Sequence, residues 1–244
     1  MRLAVFSDVH ANLEALDAVL ADSVAQGVDR HVCLGDVVGY GANPNQCIER
    51  LLALPHCACI LGNHDAAAMG MPGSMKREAR YAIHWTRKVL SPESMEFLRE
   101  MQDVITWGEL LFCHSNPYRP RRWYYVSEKT YIASSFARSK AKILFVGHTH
   151  VPVAITRQNF FCVYIRSPQH RVTVPVAELN RQIFNCGSVG QPRDGDPRAS
   201  YLVYDDERHQ VEFYRVAYDY RLAAEKILAS GLPEPFARRL IYGK

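Results

Sequence analysis

No apolar run in the 244 residues approaches the ~18 that a membrane-spanning helix needs, so no membrane partner is expected. The start, Met1-Arg2-Leu3-Ala4-Val5-Phe6-Ser7-Asp8, lacks the longer apolar stretch and small-residue cleavage site of a secretory signal. Cysteine is present but unorganised. There are seven, an odd number, with no CxxC spacing and Cys57-Ala58-Cys59 as the one close pair. That pattern argues against a disulfide framework or a structural zinc site, and reduced thiols in the cytoplasm are expected. No linker rich in Gly, Ser or Pro interrupts the chain, and no internal repeat is visible. One domain over residues 1–244 is therefore expected, with a C-terminal helical segment at about 219–244 packed on it. Strong charge is absent too. A net +4 is compatible with an anionic substrate and too small to make nucleic acid an expected partner. With 48% hydrophobic and 22% charged residues, a sizeable core is available and disorder is not indicated.

What the chain does have is a succession of short polar motifs. They are Asp8-Val9-His10, Gly35-Asp36, Gly62-Asn63-His64-Asp65, His114 and Gly147-His148-Thr149-His150, and five of the ten histidines sit in them. Carboxylate, amide and imidazole donors suit Mn, Fe or Zn. Two cations ~3.5–4 Å apart can hold both the attacking and the leaving oxygen of a phosphoryl group. Asp36 could bridge such a pair. Asp8, His10 and His150 could complete one metal, and Asn63, His114 and His148 the other. His64, oriented by Asp65, could then protonate the leaving oxygen as general acid, and no serine or cysteine nucleophile is required. A lone D-x-H is weak, whereas GNHD is expected by chance in on the order of one chain in a thousand.

Each motif follows an apolar run. Leu3 to Phe6, His31 to Leu34 and Cys57 to Leu61 read as buried strands, and helices are expected from Asn12 to about Gln26 and from Asn43-Pro44. In open α/β sheets ligands gather beyond the carboxyl ends of strands, which places these donors along one edge. Residues 74–102 read as helix broken near Ser91-Pro92. A hairpin is expected around Gly108-Glu109, a helix from Ser127 to Ala137, and a strand from Ile143 to Val146. Strands then dominate: Val153 to Thr156, Phe160 to Ile165, Val172 to Val176, Gln182 to Asn185, Tyr201 to Tyr204 and Val211 to Val216. A helical pattern returns at 219–241, interrupted at Pro233-Glu234-Pro235. Two packed sheets flanked by helices are expected.

The segments SDVHANLEAL, GDVVGYG, LGNHD, VGHTHVP and NCGSVGQPRDGDPRASY, between residues 7 and 201, resemble the calcineurin-like metallophosphoesterase superfamily. They are most similar to its small bacterial and archaeal YfcE-like branch, which includes phosphodiesterases and diadenosine tetraphosphate hydrolases. The resemblance implies an α/β fold, a four-layer α/β/β/α sandwich of two mixed sheets flanked by helices. It also implies two divalent metal ions on the ligands assigned above, commonly Mn, with Fe, Zn, Ni or Mg accepted. The sequence departs from the family pattern at Ser115, where Gly is usual, and at Cys186, where Pro is usual. Neither change removes a ligand.

Around these motifs, Asn12 reads equally as a helix N-cap or as a phosphate-contacting amide. Arg193, in the glycine-rich segment 187–196, could bind a phosphate oxygen, and Tyr40 is expected at the entrance. Tyr118-Arg119-Pro120-Arg121-Arg122-Trp123-Tyr124-Tyr125 could grip phosphates and stack a base, or be a solvated loop. The pocket walls are expected at 66–90, 115–130 and 187–196. Trp85, Trp107 and the aromatics of 160–164 read as packing residues, and Glu225 and Lys226 as a solvated helix face. The leading expectation is a phosphoesterase cleaving a phosphodiester or phosphoanhydride of a small substrate, such as a nucleotide of the diadenosine polyphosphate kind. A phosphomonoesterase or protein phosphatase uses the same donors. A non-catalytic protein-binding scaffold is the alternative outside enzymes, and completeness of the donor set counts against it. The pattern does not set the oligomeric state.

Overall fold

Strand and helix alternate through the first part of the computed structural model, which describes residues 1–159, 161–166, 170–177 and 179–244. The elements are β1 (Arg2–Phe6), α1 (Leu13–Ala25), β2 (Arg30–Cys33), α2 (Pro44–Ala53), β3 (Cys57–Cys59) and α3 (Asn63–Ala68). Next come α4 (Arg77–Val89), α5 (Pro92–Glu100), β4 (Val104–Trp107), β5 (Leu110–Cys113), α6 (Lys129–Arg138) and β6 (Ile143–Val146). Strands β7 (Val153–Gln158), β8 (Phe161–Arg166), β9 (Val172–Pro175), β10 (Gln182–Asn185), β11 (Ala199–Asp205) and β12 (Gln210–Val216) follow. Helices α7 (Tyr220–Ala229) and α8 (Glu234–Tyr242) complete the set.

The local causes are those the sequence carries. Asn12 caps α1 by accepting from the Ala15 amide at 3.1 Å. Ser91 caps α5 in the same way from Ser94, with Pro92 following, and this splits the 74–102 helical run in two. Two elements were not expected. GNHD does not only end β3, because its Asn63 opens the short helix α3. Within the Arg/aromatic stretch, Pro120–Arg122 forms a single 3₁₀ turn. Of the expected strand from Phe160, Phe160 itself lies outside the described residues.

Two mixed sheets of six strands result, ordered β3-β2-β1-β11-β12-β9 and β4-β5-β6-β10-β7-β8. Strands β1, β2 and β3 run parallel in the first, and β5, β6 and β10 in the second. Leu3, Val5, Val32, Phe112, Phe145, Phe184 and Phe213 fill the space between the sheets. A second cluster joins the outer face of the first sheet to α1 and α2 through Leu16, Val19, Ile48 and Leu51. A third seats α6, through Ile132 and Phe136, on the outer face of the second sheet. Helix on sheet on sheet on helix is the four-layer α/β/β/α order. Helices α7 and α8 pack with α4 and Tyr40 through Ile227, Phe236 and Leu240. Lys226 pairs with Glu14 of α1, so it belongs to a helix contact and not to a solvated face, while Glu225 is exposed.

Candidate metal centre and cleft

Both parallel sets of strands point their carboxyl ends at one place. Asp8 and His10 follow β1, Asp36 follows β2, and Asn63 and His64 follow β3. From the second sheet, His114 follows β5, and His148 and His150 follow β6. The loops are tied together within the first sheet and across to the second. The Asp8 amide donates to Gly35 O (2.9 Å), the His148 amide to Asp8 Oδ2 (2.9 Å) and the His64 amide to Asp36 Oδ1 (2.7 Å). Backbone strain concentrates here: Asp8, His10, Asp36, Tyr40, His148 and His150 all have φ between 49° and 67°. Such left-handed conformations cost of order 1–3 kcal/mol each and persist where the surroundings over-determine them, which is typical of functional sites.

The side chains converge in the same way. His10 Nε2 lies 3.1 Å from His150 Nε2, and His150 Nε2 lies 3.2 Å from Asp8 Oδ1. His114 Nε2 lies 3.4 Å from Asp36 Oδ2, 3.1 Å from His148 Nδ1 and 3.2 Å from Asn63 Oδ1. Three donor groups emerge, each within 4.8 Å: Asp8, His10 and His150; Asp36, His114 and His148; and His10, Asp36 and His64.

The outward ring nitrogens fix the tautomers. A backbone carbonyl faces each of them: Val38 O at His10 Nδ1 (3.2 Å), Leu34 O at His114 Nδ1 (2.9 Å), Gln191 O at His150 Nδ1 (2.6 Å) and Trp123 O at His148 Nε2 (2.9 Å). A carbonyl only accepts, so each of these nitrogens donates, and the other nitrogen of the ring turns toward the cluster. Two such nitrogens at 3.1 Å, as in His10 and His150, share at most one proton. Asp8 Oδ1 is buried there without a hydrogen-bond partner. This donor set fits cations.

Electrostatics agree. Burial, with the neighbouring His64 and His150, holds His10 well below its ordinary value, and burial beside His114 lowers His148 to about 3. Neutral imidazoles of this kind ligate metals. Burial alone would raise Asp36, but the facing imidazoles, His114 first, keep it well below the carboxylate range. Burial alone would lower His114, but Asp36 outweighs it and raises that group to about 9.

The general-acid pair is arranged differently from the sequence expectation. Asp65 does not reach His64. Its carboxylate accepts from the amides of Val38 and Gly62, both at 3.1 Å, and so braces the loops on which Asp36 and His64 sit. Burial, then the charge of Asp36, raises Asp65 to about 7. His64 is held by packing: its ring lies 4.7 Å from that of His10 and 4.5 Å from that of Tyr40. A Cβ on Gly39, whose φ is +91°, would sit 2.3 Å from His64 Nδ1, so only glycine leaves room for the imidazole.

Asn12 serves as a cap and a tie. Its Nδ2 donates to Gly190 O (3.0 Å) and Tyr218 Oη (3.3 Å), which commits both amide hydrogens and leaves none for phosphate. Tyr40 and Arg193 do line the cleft, with the Arg193 guanidinium 5.8 Å from the Tyr40 ring centre. Cys186 is fully buried in the inter-sheet core, away from the cleft, and Ser115 is buried with its hydroxyl donating to Pro120 O (3.3 Å).

The cleft over the donors has a volume of about 540 Å³. The wall segments expected from the sequence reach it through Lys76, Arg122, Trp123, Tyr125 and Arg193. Tyr125 stacks on His148 with ring centres 4.3 Å apart. Sequence reasoning missed Arg239 and Lys244, which reach the cleft from α8 and the residues after it. A solvated-looking helix far along the chain carries no signal of where its arginine points. No helix among the described residues is long and apolar enough to cross a membrane.

A four-layer sandwich with carboxylates and imidazoles gathered at the ends of its parallel strands is the frame of a metal-dependent phosphoric ester hydrolase. Residues 1–209 match the calcineurin-like phosphoesterase superfamily domain, and the chain belongs to that superfamily. It is 37% identical over 248 residues to an uncharacterised protein of Methanocaldococcus jannaschii, covering 99% of this chain and 98% of the other. It is 26% identical over 216 residues to the phosphodiesterase YfcE of Escherichia coli K12, covering 85% of this chain and 89% of that protein. The solved structure of a metallophosphoesterase from Sphaerobacter thermophilus superposes with a TM-score of 0.89 at 37% identity, covering 100% of this chain and 99% of the other.

Proposed function

We propose that the chain is a single metallophosphoesterase domain, with the helical segment at about 219–244 packed on it, that hydrolyses a phosphodiester or phosphoanhydride of a small, nucleotide-like substrate. The observation that carries this is the position of Asp36 between the two donor groups: its Oδ2 lies 3.4 Å from His114 Nε2 on one side and 3.8 Å from His10 Nε2 on the other. Asp8, His10 and His150 would hold one divalent ion, Asn63, His114 and His148 a second, and Asp36 would bridge them. Manganese is the reading for the metal. Bound there, the ions supply Lewis-acid polarisation of the phosphoryl group.

The remaining roles fall to the chain's own groups. Arg193 holds a phosphoryl oxygen, and Tyr40 keeps His10 and His64 in place. His64 delivers a proton to the leaving oxygen from Nε2, because Nδ1 is buried without a partner beside Gly39. Cleavage of diesters is supported by the named activity of the Escherichia coli relative. The aromatic surface of Trp123 and Tyr125 beside the donors supports a base-bearing substrate. The cytoplasmic placement rests on the unpaired cysteines of the sequence.

The test is hydrolysis of bis-p-nitrophenyl phosphate, p-nitrophenyl phosphate and diadenosine tetraphosphate by protein stripped of metal and reloaded with Mn. Diester or dinucleotide turnover well above monoester turnover is expected. Dominant monoester turnover moves the assignment to a phosphatase, and no turnover with metal bound moves it to a scaffold. Asp36→Asn is expected to lower the bound metal measured by elemental analysis, and an unchanged content would remove Asp36 from the bridge.

A further inference from the structure

Several arginines of the chain are tied to carboxylates. Away from the cleft, Arg171 pairs with Glu212 (2.6 Å), Arg198 with Asp196 (2.6 Å) and Arg215 with Asp194, and at the cleft itself Arg121 pairs with Asp103 (2.9 Å). Other cations of the cleft lining differ. Lys76, Arg122, Arg193 and Arg239 face it from four separate segments, and among the described residues none of them forms an ion pair with a carboxylate. Arg193 and Arg239 both set their guanidiniums against the Tyr40 ring, at 5.8 and 5.9 Å from its centre. Arg239 is also 5.8 Å from the ring centre of Phe236, which steadies a half-buried charge without neutralising it. Its helix, α8, lies beyond the residues 1–209 that match the family domain.

Unpaired cations around one concave wall focus a positive potential there, and a planar guanidinium is suited to gripping phosphate oxygens two at a time. One scissile phosphate beside Asp36 and Arg193 does not need Arg239 and Lys76 as well. We infer that the wall formed by Arg239, with Lys76 facing the same cleft, binds a second phosphate of the substrate, other than the one that is cleaved. The preferred substrate then carries a chain of phosphates, and Arg239 is a specificity residue that discriminates by phosphate number. This rests on the phosphoesterase reading of the site.

The experiment is competition against bis-p-nitrophenyl phosphate hydrolysis by AMP, ADP and ATP, at fixed free Mn, in wild type, Arg239→Gln and Arg239→Lys. In wild type the inhibition constant should fall by about tenfold or more from AMP to ATP, as for a gained charge-assisted phosphate contact. In Arg239→Gln that ratio should collapse toward one, and Arg239→Lys should restore part of it. Equal inhibition by the three nucleotides in wild type overturns the inference, as does an unchanged ratio in Arg239→Gln. If Arg239→Gln does not fold, Lys76→Gln, at an exposed position, should shrink the ratio in its place, and an unaltered ratio there overturns the inference. Absence of metal-dependent hydrolysis in wild type would instead be the failure of the phosphoesterase reading.

Discussion

At the scale of single residues, the proposed mechanism gives His64 a proton to deliver and no metal to hold. His64→Ala should keep its metal and lose most activity on substrates with poor leaving groups. The loss on aryl phosphates should be smaller, because their leaving oxygen needs little protonation. Equal losses on both would count against His64 as the general acid. Gly39→Ala should reproduce this profile with His64 still present, since the new Cβ would lie 2.3 Å from the imidazole. An alanine variant with wild-type kinetics on poor leaving groups would mean that His64 tolerates displacement. The sequence identified the motif residues, but it misassigned the partner of Asp65. Adjacency along the chain favoured His64, whereas the carboxylate turns back to the amides of Val38 and Gly62.

At the scale of elements, β1, β12 and the residue that precedes β9 in the first sheet meet at a buried carboxylate. Glu212 of β12, 3% exposed, accepts from Arg171 (2.6 Å) and from the Tyr214 hydroxyl (3.0 Å) and faces Arg2 of β1 (3.5 Å). Burial alone would raise its pKa, but these hydrogen bonds and charges hold it below the ordinary 4.5. A carboxyl whose pKa is depressed on folding contributes stability that is complete above its unfolded value and is lost as pH falls through the lower folded one. Glu212→Gln should therefore cost about 1–2 kcal/mol near neutral pH, the low end for a charged hydrogen bond because Arg171 is largely exposed. In urea unfolding curves the deficit should shrink as pH drops below 4.5. A deficit that stays constant with pH would show that the charge of Glu212 is not what matters.

Helices and strands at this scale were legible because their periodicity is local. The β6 and β10 ranges were read directly, and Ser91-Pro92 marked the split between α4 and α5. The short helix α3 was not read, because six residues after a strand carry too little pattern to register as a helix.

At the scale of the whole molecule, α8 is part of the cleft as well as of the fold. Phe236, fully buried, meets the Tyr40 ring at 5.0 Å, and Tyr40 in turn packs on His10 and His64. Phe236→Ala should destabilise by about 3–5 kcal/mol. If residues 1–244 fold as one domain, the loss should appear as a downward shift of a single calorimetric transition. A separate early transition, with the main one unmoved, would make the helical segment an independent unit.

The sequence by itself determined the donor types, their order along the chain and their position after apolar strands. These are short-range properties: a buried strand must be apolar, and carboxylate, amide and imidazole donors are identified by residue type alone. The tertiary structure alone decided which nitrogen of each imidazole faces inward, because carbonyls of Val38, Leu34, Gln191 and Trp123 select the tautomers from distant segments. It also decided that Asn12 is occupied as a cap and a tie, and that Arg239 reaches the cleft from α8. Those outcomes depend on contacts between segments up to about two hundred residues apart, where the periodicity of a single chain carries no information.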